Sequence, residues 1–127
     1  MPFKGEMDLD DLIGPLPAPL GRWMLRRMVA AGVRYGHEFA VLRVHGAEPD
    51  ALAAVLRGAD VFSRWDDGDL LALLPDTDRD GAVIVAERVR TATGARVGAA
   101  HWGGDLAEDL LARVERSLAA DAAQPRA

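Results

Sequence analysis

Apolar positions recur along this chain with two periods. Over residues 20–34, Leu20, Trp23, Met24, Met28 and Ala31 keep helical spacing, and Arg22, Arg26 and Arg27 crowd the other side. This predicts an amphipathic helix whose arginines form a solvated face. Residues 38–44 read as a strand anchored by Phe39, Val41 and Val44, and residues 50–56 as a short helix. Val61, Ser63 and Trp65 then alternate with Phe62 and Arg64, the period of two of a strand. Leu70 to Leu74 is an almost purely apolar run closed by Pro75, which predicts a buried strand. Between them sits Asp67-Gly68, a dipeptide favoured in two-residue hairpin turns because both positions need positive φ.

Ala82, Val85, Ala86 and Val89 predict a helix over 81–93, capped from the polar loop 76–80. Residues 95–102 read as the last strand, broken by Gly103-Gly104. Asp105 with Glu108 predicts a capping box, and Leu106, Leu110, Val114 and Leu118 the buried face of a final helix. Prolines 15, 17 and 19 exclude regular helix from a lead-in over 1–19. Residues 20–122 form the folded domain and 123–127 a frayed tail. The order, helix then βαββαβ then helix, predicts an α+β fold of ferredoxin-like or palm-like type. It would hold an antiparallel four-stranded sheet with helices packed on one face and flanking N- and C-terminal helices.

Charge narrows the partners. The 127 residues are 50% apolar and carry a net charge of −5, with no long basic block. A polymeric nucleic acid is therefore not expected as a partner, whereas a small anion can be held by two or three arginines. There is no cysteine, and no apolar run approaches a membrane span. Residues 1–11 are acidic and lack a signal core, so a cytoplasmic protein without direct membrane insertion is expected.

Single residues have plain structural readings. His37 and His45 read as turn residues, because no partner His or Cys accompanies them. Asp66, Asp67 and Asp69 read as solvated turn carboxylates. Arg57 closes the short helix, where it complements the macrodipole, or pairs at the surface with Asp60. Glu87 is positioned to hold Arg88. No metal site and no cofactor are expected.

A second layer comes from resemblance. Arg64-Trp65, the five positions Asp66-Asp67-Gly68-Asp69-Leu70, and Leu73-Leu74-Pro75 resemble the signature hairpin of GGDEF diguanylate cyclases, with the signature itself lost. Arg57-x-x-Asp60 stands five residues upstream, the spacing of that family's inhibitory site for cyclic di-GMP. Tyr35-Gly36-His37, Ala86-Glu87-Arg88-Val89-Arg90 and Val97-Gly98-Ala99-Ala100 are similar at matching offsets. So, more weakly, is the opening Asp10-Asp11-Leu12-Ile13-Gly14-Pro15-Leu16-Pro17. The likeness runs from about Asp10 to Leu118.

The resemblance implies an inactive enzyme. The family's two metal-binding carboxylates fall on His45 and Gly68, and a neutral imidazole suits magnesium poorly. Asp66 and Asp67 replace the glycines that admit phosphate. About twenty residues that would contact the substrate base are missing after residue 45. The terminal Tyr-x-x-Lys is absent. The inhibitory-site residues are present, as Arg57, Asp60 and Arg88. An arginine fork can pair with guanine O6 and N7 or bracket a phosphate, and an aspartate can accept from guanine N1–H. The resemblance thus implies a cyclic di-GMP receptor, with two stacked ligand molecules by family habit, acting through a protein partner or homodimer. The rival expectation is a protein-interaction module that has lost both activities. Residual cyclase activity ranks third.

Overall fold

Four strands pair in the order β2-β3-β1-β4, every neighbour antiparallel. The computed structural model describes residues 15–125, so residues 10–14 of the opening motif lie outside the described residues. The strands are β1 (Phe39–His45), β2 (Val61–Arg64), β3 (Leu70–Pro75) and β4 (Arg96–His101). The helices are α1 (Ala18–Tyr35), α2 (Pro49–Ala53), α3 (Arg79–Thr93) and α4 (Ala107–Ala123). This is the expected α+β architecture, with the expected hairpin between β2 and β3.

Helices cover both faces of the sheet, not one. The central strands β1 and β3 are buried almost throughout, so apolar side chains leave them in both directions. On one face Ala40, Leu42, Val44, Ala72 and Leu74 meet Leu52 of α2 and Ala82, Ala86 and Val89 of α3. On the other, Phe39, Val41, Leu71 and Leu73 meet Leu25 of α1 and Leu110 and Val114 of α4. Trp102 stacks on Phe39 at 5.5 Å and extends this second core.

Helix starts and phases depart from the sequence reading in three places. α1 begins at Ala18, with Pro17 as its N-cap and Pro19 inside the first turn. Proline is tolerated there because the first N–H groups of a helix have no intrahelical partner. Its buried face is Gly21, Leu25 and Gly32, while Leu20 and Trp23 are exposed. The glycines explain the phase. A Cβ on Gly21 would collide with the Ser63 side chain, and one on Gly32 would overlap the Trp102 ring. α4 begins after Leu106, which is exposed and offers no side-chain cap. The expected capping box does not form, because the Asp105 carboxylate takes Arg113 at 2.9 Å and the Gly103 N–H at 3.1 Å instead. α3 does receive its predicted cap, Asp78 Oδ1 accepting from Gly81 N at 2.7 Å.

One contact fixes α4 against the sheet. Gly98 of β4 lies directly under the α4 backbone at Val114 and Leu118, so any Cβ there would enter the helix. Around it, Asp121 Oδ2 accepts from Val97 N at 2.7 Å and Ser117 Oγ accepts from Ala99 N at 2.9 Å.

Candidate functional site

α2 stops at Ala53, four residues before Arg57, so Arg57 does not close a helix. It sits instead in a tight loop that binds back on itself. Arg57 N donates to Asp60 Oδ2 at 2.9 Å, and Asp60 N donates to the Arg57 carbonyl at 3.0 Å. The guanidinium adds Nη2 to Asp60 Oδ1 at 3.1 Å. The same nitrogen donates to the Pro75 carbonyl and to Thr77 Oγ1, each at 3.0 Å. Hydrogen bonding to Asp60, and then its charge, hold the Arg57 pKa above the usual arginine value.

The pair is asymmetric. The Asp60 side chain is 1% exposed and the Arg57 side chain 54%. Asp60 therefore works from beneath, fixing the guanidinium against the end of β3. Arg57 lines an open cavity of about 280 Å³ with Glu38, Asp76, Thr77, Asp78 and Arg88. Asp60 does not line it. Arg88, on α3, makes no hydrogen bond or ion pair among the described residues. Its neighbour Glu87 turns to Arg90 at 3.1 Å, so the expected Glu87–Arg88 pair does not form. The fold thus places two of the three expected site arginines and carboxylates, Arg57 and Arg88, around one cavity, and the third, Asp60, behind the first.

The hairpin turn has the expected backbone, with φ of 59° at Asp67 and 76° at Gly68. Asp66 and Asp67 are exposed at the turn as expected, whereas Asp69 is buried and not solvated. Asp66 takes Arg22 at 3.2 Å, and that guanidinium lies 4.2 Å over the Trp65 ring. Asp67 is exposed, with Arg43 at 3.9 Å. Asp69, only 3% exposed, accepts from Arg43 Nε at 2.6 Å, and its other oxygen stands 2.6 Å from His45 Nδ1. His45 is the last residue of β1, not a turn residue. The Arg43–Asp69–His45 cluster was not visible in local pattern. Strand register carries the signal: Val44 pairs with Leu70, which sets His45 across from Asp69.

Comparison with known proteins bears on the fold. A scan against protein-family models and a search of curated proteins return no match. Among solved structures, the diguanylate cyclase SiaD of Pseudomonas aeruginosa, in complex with its activator SiaC, superposes with a TM-score of 0.75 at 20% identity. The match covers 84% of this chain and 54% of SiaD, so the chain spans about half the length of that protein. The isolated GGDEF domain of YfiN (TpbB) from the same organism gives 0.74 at 18% identity, over 92% of this chain and 90% of that one. A microbial GGDEF domain studied for its interaction with cyclic di-GMP gives 0.68 at 16% identity, over 89% and 88%. At these identities the likeness is one of fold, and the fold of this chain is that of the GGDEF domain.

Proposed function

We propose that this domain binds cyclic di-GMP through Arg57 and Arg88 and does not synthesise it. The observation that carries the reading is Arg88, an arginine with no partner among the described residues, beside the half-exposed Arg57 on one cavity. Two guanidiniums on a small cavity suit a ligand with two phosphates and two guanines. Asp60 serves by positioning Arg57. A GGDEF domain of the same fold has been studied with this ligand, which supports the choice of nucleotide.

The hairpin supports the loss of synthesis. Phosphoryl transfer needs a metal at the triphosphate to stabilise developing charge. Histidine and glycine stand where the resemblance expects the two metal carboxylates. Asp69 is buried and committed to Arg43 and His45. Asp66 and Asp67 add negative charge where a triphosphate would approach. β1 passes through residues 46–48 straight into α2, with no segment to hold a substrate base.

A second reading, a protein-interaction module, draws on α3. Val83 and Ile84 are exposed there, next to Arg88, along a groove of about 630 Å³ shared with Val55, Thr91 and Ala92. Calorimetric titration of cyclic di-GMP into the purified protein separates the two. Saturable binding near micromolar, about −8 kcal/mol, lost in both Arg57→Ala and Arg88→Ala, supports the receptor. No heat and no thermal shift at high ligand leaves the interaction module. Product formed from GTP and magnesium would overturn the loss of synthesis.

A further inference from the structure

α1 is electrostatically unlike the rest of the molecule. It holds Arg22, Arg26, Arg27 and Arg34 and no acidic residue. Of the chain's 15 basic residues these four leave 11 elsewhere, against 20 acidic ones. At about 100° per residue, Trp23, Arg27, Ala30 and Arg34 lie on the line opposite the buried Gly21, Leu25 and Gly32, with Arg26 and Val33 beside them. Trp23 is 57% exposed, Val33 72% and Tyr35 64%. Arg26, Arg27 and Arg34 form no ion pair among the described residues. Arg27 lies 5.7 Å over the Trp23 ring and Arg34 5.6 Å over the Tyr35 ring.

We propose that the outward face of α1 docks on the surface of an anionic lipid bilayer. An 18-residue helix presents a face about 27 Å long. On it, the Trp23 ring, suited to the headgroup boundary, carries the Arg27 guanidinium, and Arg26 and Arg34 add guanidiniums suited to lipid phosphates. Tyr35 flanks this face at the end of the helix. The acid-rich remainder of the protein would be repelled by the same surface, which orients α1 toward it. A second copy docking through this face is disfavoured, because it would bring unpaired arginines of both copies together. Spanning is not implied: no helix among the described residues is long and apolar enough to cross a membrane.

The test is co-sedimentation of the whole chain with phosphatidylcholine vesicles, with and without phosphatidylglycerol. Binding is expected only with phosphatidylglycerol, weakening steeply with added salt, with a blue shift of tryptophan emission that Trp23→Ala removes. Arg26→Gln, Arg27→Gln and Arg34→Gln should each weaken binding about fivefold. All three lie away from Arg57 and Arg88, so nucleotide titration should be unchanged in them. Equal binding to neutral vesicles, or none to anionic ones, overturns the proposal. Retention on soluble polyglutamate without vesicle binding also overturns it, in favour of an acidic protein partner. If a variant fails to fold by circular dichroism, the lipid-charge and salt dependence of the unaltered protein decide the outcome.

Discussion

The carboxylate of Asp60 is buried 3.1 Å beneath the half-exposed guanidinium of Arg57. The two residues of the Arg-x-x-Asp pattern therefore have different parts: one faces outward, and the other holds it in place. Asp60 also accepts the Arg57 backbone N–H, so its loss would leave a donor unpaired.

This separates binding from stability. Arg88→Ala is expected to reduce cyclic di-GMP affinity at least tenfold, about 1.4 kcal/mol, with thermal stability unchanged within about 0.5 kcal/mol. Asp60→Ala is expected to lose affinity and also about 1–3 kcal/mol of stability. Calorimetry and chemical denaturation on the two variants check the contrast. Equal stability losses in both would contradict the assigned roles.

A second prediction concerns the hairpin. Asp69→Ala removes the close, buried partner of Arg43, whose side chain is 11% exposed, leaving it only the exposed Asp67 at 3.9 Å, and is expected to destabilise by about 3 kcal/mol. His45→Ala removes a mostly exposed partner and should cost less than about 1 kcal/mol. Urea denaturation midpoints with unchanged slopes would give the ratio directly.

The glycine contacts allow a third. Gly98→Ala places a methyl group against the α4 backbone, which cannot rotate away, and is expected to cost about 1–3 kcal/mol or more. Gly21→Ala collides instead with the Ser63 hydroxyl, a buried group with no hydrogen-bond partner among the described residues. Ser63→Ala should therefore be neutral or slightly stabilising, by up to about 1 kcal/mol. Combining Gly21→Ala with Ser63→Gly should recover part of the Gly21→Ala loss, which a double-mutant cycle measures.

Acid sensitivity follows from two carboxylates at the ends of α4. Hydrogen bonding to Arg113 draws Asp105 below the usual carboxylate range, against the cost of its burial. Burial pushes Asp121 upward, but Val97 N–H and Arg90 outweigh it and leave that group lowered too. A lowered folded pKa gives stability that is fully present above the unfolded value and is lost as pH falls through the folded one. Melting temperature should thus stay level from neutral pH down to the ordinary aspartate range and drop below it. Asp121→Asn should lower the plateau and flatten the drop, as thermal melts across the acid range would show.

The sequence alone determined the order of elements, the antiparallel hairpin with its two positive φ values, the α3 stripe of Ala82, Ala86 and Val89, and the resemblance to the GGDEF hairpin. These rest on period and local turn chemistry, which act over a few residues. Tertiary structure decided the phase of α1, because Gly21 and Gly32 are selected by the remote side chains of Ser63 and Trp102. It decided that Asp105 binds Arg113 rather than capping a helix, and that Asp69 is buried between Arg43 and His45. It also decided that Arg57 and Arg88, thirty-one positions apart in number, share one cavity while Asp60 stands behind. A charge takes whichever partner the packed strands and helices bring within about 3 Å, and that neighbour is fixed by register and crossing, not by distance along the chain.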